Sequence, residues 1–389
     1  MKARPLGARA RGAALLLLAA AGGGLPAAAC GGSVVEQKPV VGPAPADPRA
    51  AKLYLDAVKL MAAKDPAGEQ RAIEGFEAAL EIDPKLWEAH YNLGVLLRRR
   101  GEMRKALPHL KRAHELDPSA DEPLLALAEA EHALGDRDAA ADLLAEYVQQ
   151  HAEANHVRIA LTSILREQGE YDDALARARE ALVRDPANVP ALLEVGRIYK
   201  AKGDFDVAEL VFQKVLALDA KSATAHNDLG LLALARGDTQ RAFDEFEKAA
   251  GSDAAFTPAR LNRASVLLRA GDYASARNEY AKVLENAPRT VEARVALGIC
   301  LRGLGKPQDA EKEYERALSD APNHPAALFN LALLRADFLN QRSAARELFQ
   351  RYLEVSAKDD PERPIAERFL SEIAAASARA ETDKPGEGE

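Results

Sequence analysis

Few residues of this 389-residue chain have the type and spacing to do chemistry. The eight histidines form no HExxH pair and no zinc-like spacing with cysteine. His90 and His226 read as packing or groove-edge groups. Cys300 would need an oriented histidine to act as a nucleophile, and beside Leu297 and Leu301 it reads as a small buried hydrophobe. Gly303-Leu304-Gly305-Lys306 has the outline of a phosphate loop. Cys300, however, stands where the first glycine belongs, and Pro307 replaces the Ser or Thr. The expectation is a chain with no catalytic centre, no cofactor, no metal and no small-molecule substrate.

The remaining cysteine, Cys30, has a different chemistry. Lys2, Arg4, Arg9 and Arg11 precede an apolar run, Ala13 to Ala21, that is too short to span a bilayer of about 30 Å. Gly22-Gly23-Gly24, Pro26 and Ala27-Ala28-Ala29 follow, so residues 1–29 read as a secretory signal peptide. Cys30-Gly31-Gly32-Ser33 resembles the lipobox of bacterial lipoproteins, whose cysteine sulfur is acylated. Ala27 stands where that family prefers Leu, and Ala27-x-Ala29 also suits ordinary signal peptidase. The resemblance implies a cell-envelope protein, an outer-membrane lipoprotein facing the periplasm and anchored through Cys30. Without acylation the product would be soluble in the periplasm. Residues 30–52, with Pro39, Pro43, Pro45 and Pro48, read as a flexible tether.

The rest of the chain must position whatever else it does. Aromatic residues are 5% of the total and the β-branched types are sparse, which argues against sheets and for helices. Glycine recurs every 34 residues, at Gly101, Gly135, Gly169, Gly203, Gly237, Gly271 and Gly305. Alanine follows five residues later each time, at Ala106, Ala140, Ala174, Ala208, Ala242, Ala276 and Ala310. That period marks a helix–turn–helix repeat. Each glycine closes a first helix, A, in the left-handed conformation. The acid that often follows, such as Asp136, Asp238 or Asp272, caps a second helix, B, or favours its dipole. Pro84, Pro118, Pro186, Pro288 and Pro322 end helix B.

Tyr91-Asn92-Leu93-Gly94, Gly271-Asp272-Tyr273 with Ala276 and Tyr280, and Ala317 with Pro322 carry the resemblance: the sequence resembles the tetratricopeptide repeats. The fold this implies is all-α, a right-handed α-solenoid of about nine repeats over 53–358. A capping helix over 359–378 is expected from the stripe Ile365, Phe369, Ile373, with a disordered charged tail at 379–389. The ninth repeat has Leu339-Asn340 in place of its glycine and needs one inserted residue to place Ala345, Phe349 and Tyr352.

The resemblance further implies protein or peptide partners in a concave groove lined by helix A. Position 6 of that helix carries Asn92, Asn262 and Asn330, which would hold a peptide backbone or serve the structure. Position 12 carries Arg98, Arg166, Lys200 and Arg302, a broken basic line suited to carboxylates. Repeat 2 has seven bases against four acids, whereas residues 121–154 have nine acids against Arg137 alone. Asp136, Asp138 and Asp142 form an acidic patch there, a solvated face or a receptor for a basic partner segment. The formal charge of −8 weakens any case for nucleic acid. The function that follows is a non-catalytic scaffold of the bacterial cell envelope, assisting assembly of a pilus secretin, motility or polysaccharide-export machine. Two alternatives stay open: an envelope organiser acting by self-association or peptidoglycan contact, and an accessory subunit of an envelope enzyme.

Overall fold

The computed structural model describes residues 47–62 and 66–382. The signal peptide, Cys30, most of the tether and residues 383–389 of the tail lie outside them. Among the described residues there are nineteen helices and no strand. They fall into two compact units, divided between Ala220 and Lys221. The first holds α1 (Pro48–Ala62), α2 (Pro66–Ile82), α3 (Trp87–Arg99), α4 (Met103–Leu116), α5 (Asp121–Ala133), α6 (Arg137–Gln150), α7 (Asn155–Gln168), α8 (Tyr171–Arg184), α9 (Val189–Lys202) and α10 (Phe205–Leu218). The second holds α11 (Ala223–Ala235), α12 (Thr239–Ser252), α13 (Thr257–Arg269), α14 (Tyr273–Asn286), α15 (Val291–Gly303), α16 (Pro307–Asp320), α17 (Pro325–Asp337), α18 (Arg342–Val355) and α19 (Arg363–Thr382).

Odd-numbered helices up to α17 are the A helices and even-numbered ones their B partners, nine pairs among the described residues. In the first unit each A helix touches the next, while no comparable contact joins successive B helices there. The A layer is therefore close-set and the B layer splayed, leaving valleys between B helices.

The period has the expected cause. Gly203 follows α9 at φ 86°, and Asp204 N–H closes back on the Tyr199 carbonyl at 2.9 Å. Non-glycine residues pay strain in that conformation. Asn340 takes it at φ 55° in the ninth pair, where the glycine is missing. Midway along each pair the backbones must approach. A Cβ on Gly196 would lie 2.4 Å from the Phe212 ring, so the glycine is the socket for that ring. The alanine column, Ala106 through Ala310, is fully buried, as are Ala345, Phe349 and Tyr352. Asp136, Asp238 and Asp272 accept N-cap bonds from Ala139, Arg241 and Ser275. Glu102, Glu170 and Asp204 make no such side-chain cap bond and favour the helix dipole.

Two expected boundaries are corrected. The tether does not reach residue 52: α1 starts at Pro48 because Asp47 accepts the Arg49 N–H at 2.8 Å and Ala50 is buried. The capping helix runs over 363–382 and not 359–378, because residues before it form a turn. In that turn Asp360 accepts the Tyr352 hydroxyl at 2.6 Å and the Glu362 N–H at 2.9 Å. Residues 379–382, expected in a disordered tail, are helical. Phe369 of α19 packs on Phe349 with ring centroids 4.8 Å apart.

Candidate partner-binding surface

The A-helix face of the first unit carries a ladder of paired polar side chains. Arg98 on α3 reaches Glu129 on α5. His132 Nε2 on α5 lies 2.9 Å from Glu167 Oε2 on α7. Arg166 Nε on α7 donates to Glu194 Oε2 on α9 at 3.0 Å. Arg197 Nη1, on the same helix as Glu194, donates to the other carboxylate oxygen at 2.6 Å. Glu194 is 3% exposed. Burial alone would raise its carboxyl, but Arg197 and Arg166 together hold it below the usual range.

The basic line at position 12 is thereby corrected. Arg98 and Arg166 are not open cations awaiting a partner's carboxylate, because each is met by an acid of the next repeat. Lys200 stands half-buried near the end of α9. In the second unit Arg302 is half-buried near the end of α15, in the field of Asp337 and Glu362. Its Nη1 has no hydrogen-bond partner among the described residues.

The position-6 asparagines are interior groups. Asn92 and Asn330 are fully buried and Asn262 is 3% exposed. Asn262 Nδ2 donates to Asn227 Oδ1 at 2.8 Å, joining α13 to α11. Asn330 Nδ2 donates to the Ala326 carbonyl one turn back in its own helix, at 2.9 Å. Of the two readings the sequence left open, this geometry is the structural one.

Position 4 of helix A holds a clamp that sequence reasoning met only through its histidines. His90 Nδ1 lies 3.1 Å from His109 Nδ1, and His226 Nδ1 lies 2.7 Å from Glu245 Oε2. Arg260 and Arg294 stand at the same position and bond Glu279 and Glu313, each at 3.2 Å. Every one of these partners is nineteen residues downstream on helix B. His90, Arg260 and Arg294 also bond the carbonyl six residues earlier, on Pro84, Ala254 and Pro288. The clamp thus ties the inter-repeat turn to the helix pair. For His226, Arg260 and Arg294 the signal was readable: a basic residue at position 4 with a glutamate nineteen residues on.

Cys300 and the Gly303–Lys306 segment have places in the packing. Cys300 is fully buried and burial pushes its thiol up to about 12. Gly303 lies under the Tyr273 ring, and Gly305 turns the chain at φ 72°. Among the described residues no three His, Cys, Asp or Glu are grouped to hold a metal ion, and no helix is long and apolar enough to cross a membrane. Of the acidic patch, Asp136 caps α6, while Asp138 accepts from Gln168 Nε2 at 2.8 Å. Asp138 and Asp142 face the valley between α6 and α8, on the B side and not on the A-helix face.

Comparison with known proteins bears on the whole pattern. Models described as tetratricopeptide repeat match residues 87–120, 122–146, 159–221, 193–255, 261–325 and 301–364. A search of curated proteins gives no match. Among solved structures, MamA is 25% identical, covering 44% of this chain and 94% of its own, with a TM-score of 0.36. PilF of Pseudomonas aeruginosa is 19% identical over 52% of this chain and 95% of its own, with a TM-score of 0.42. Yeast Tom70 is 15% identical over 86% of this chain and 97% of its own, with a TM-score of 0.45.

Proposed function

The chain belongs to the tetratricopeptide repeat family, and from that premise we propose that it is a non-catalytic protein-binding scaffold of the bacterial cell envelope. The observation that carries the reading is the array itself: stacked helix pairs whose A helices, in the first unit, form a close-set face. Such stacked helices offer a large preorganised surface, so a partner is bound with little loss of conformational entropy in the scaffold. The polar pairs across that face in the first unit support this, because side chains matched between repeats, such as Arg166 with Glu194, are held in place before any partner arrives. Partners are read as proteins or peptides, seated on the A-helix face around residues such as Lys200. Residues 1–30 support the envelope assignment and an anchor through an acylated Cys30. Assembly of an envelope machine is the role proposed for the scaffold.

Two measurements test the envelope reading. Fractionation of cells carrying the full chain should place the mature protein with the membranes. Intact-mass analysis of that protein should give a lipid-modified N-terminus at Cys30, whereas a free thiol there, or a cytosolic protein retaining residues 1–29, would overturn it.

A further inference from the structure

The acids of repeat 3 that face the B side border a space with a shape of its own. Between α6 and α8, floored by α7, lies a valley of about 950 Å³. It is open because α6 presents small residues to it, Ala141 and Ala145, above a floor of Leu161 and Leu165. At the far end Val183 of α8 is 83% exposed, an apolar side chain left in water.

The walls are charged unequally along their length. Asp138 and Asp142, one turn apart on α6, face Glu170 and Asp173 at the start of α8. Arg137 is the cation at that mouth. Arg158 and Arg177 also line the valley, but both bond Glu180, at 3.1 and 2.7 Å, and Arg184 sits at the far end. The near half is therefore acidic. Gln168 gives its amide N–H to Asp138 at 2.8 Å, which holds that carboxylate at the mouth of the valley.

We propose that this valley binds a basic segment of a partner protein. Its Lys or Arg side chains lie between Asp138 and Asp142 on one wall and Glu170 and Asp173 on the other. An apolar side chain of the segment covers Val183. The α8 wall from Glu170 to Arg184 is about 21 Å long at ~1.5 Å per residue, which an extended chain spans in about six residues at ~3.3 Å each. The proposal rests on the scaffold reading but uses the B side, so each can fail without the other.

The test is fluorescence anisotropy with the full chain and a labelled peptide of about seven residues, alternating Lys and Leu, against its Glu-for-Lys counterpart. The Lys peptide should bind and the Glu peptide should not. Asp138→Asn with Asp142→Asn should weaken binding about tenfold, as two close charges near a surface do. Ala145→Trp, which fills the valley without changing charge, should weaken it as much. Glu146→Gln with Glu153→Gln makes the same charge change outside the valley and should cost less than about twofold. Equal loss in that control, unchanged binding by Ala145→Trp, or no binding of the Lys peptide at low salt would each overturn the valley site. Partner capture at Lys200 that survives in Ala145→Trp would leave the scaffold reading standing.

Discussion

Arg166 and Glu194 meet at 3.0 Å between consecutive repeats, with the carboxylate almost wholly shut from solvent. Neither lies near the other in sequence, and the bond exists only because α7 and α9 stack. Glu194→Ala removes the buried carboxylate that Arg166 and Arg197 share and should cost about 3–5 kcal/mol in urea unfolding. The sign of the pH dependence follows from the lowered folded value. Stability from this group is complete above the ordinary 4.5 and is lost as pH falls through the folded value. Glu194→Gln should therefore flatten the acid limb of the stability curve, and an unaltered limb would count against the pairing.

Two glycines should respond differently to alanine. Gly196→Ala drives a Cβ into the Phe212 ring and should cost about 1–3 kcal/mol, largely recovered by pairing it with Phe212→Leu. Gly203→Ala meets no neighbouring atom but keeps a φ of 86°, so its cost should be about 1 kcal/mol with no rescue from packing changes. Thermal melts of the three variants check both statements.

The cap carries an alkaline sensitivity. Glu362 is 2% exposed, and burial, with Asp360 adding to it, raises its carboxyl to about 7 against the pull of Arg302. A raised carboxyl takes stability away as pH climbs from the unfolded 4.5 through that value. Glu362→Gln should therefore be more stable than the parent at pH 8 by on the order of 1–2 kcal/mol and near parity at pH 4. A parent-like stability curve would contradict it.

Much of this was legible in the sequence. The glycine and alanine columns fix the helix pairs, because each column answers a local demand: a positive φ at Gly203, a close approach at Ala208. What sequence reasoning missed are pairs set by stacking. Glu129, Glu167 and Glu194 meet Arg98, His132 and Arg166 across 28 to 35 residues, and no local pattern records which face each acid takes. The asparagines at position 6 stayed open to two readings because an A-helix position does not say how deeply the neighbouring helix covers it. The valley was hidden for a related reason, since Ala141 and Ala145 read as ordinary helix residues until α8 is placed opposite them.

A buried thiol gives a sharp probe of the array's integrity. Cys300, raised to about 12 by burial, should not react with a thiol reagent at pH 8 in the folded chain. Labelling should track unfolding of its unit, and fast labelling under native conditions would place Cys300 at the surface.

The central claim, capture of protein partners on the A-helix face, is tested most directly by site-specific photocrosslinking in the native envelope. A photoreactive residue at Lys200 on α9 is compared with one at Lys214, exposed on α10. The account predicts a discrete crosslinked partner protein from Lys200 and none from Lys214. Equal crosslinking from both positions, or none from Lys200 while the chain is folded and membrane-bound, would contradict it.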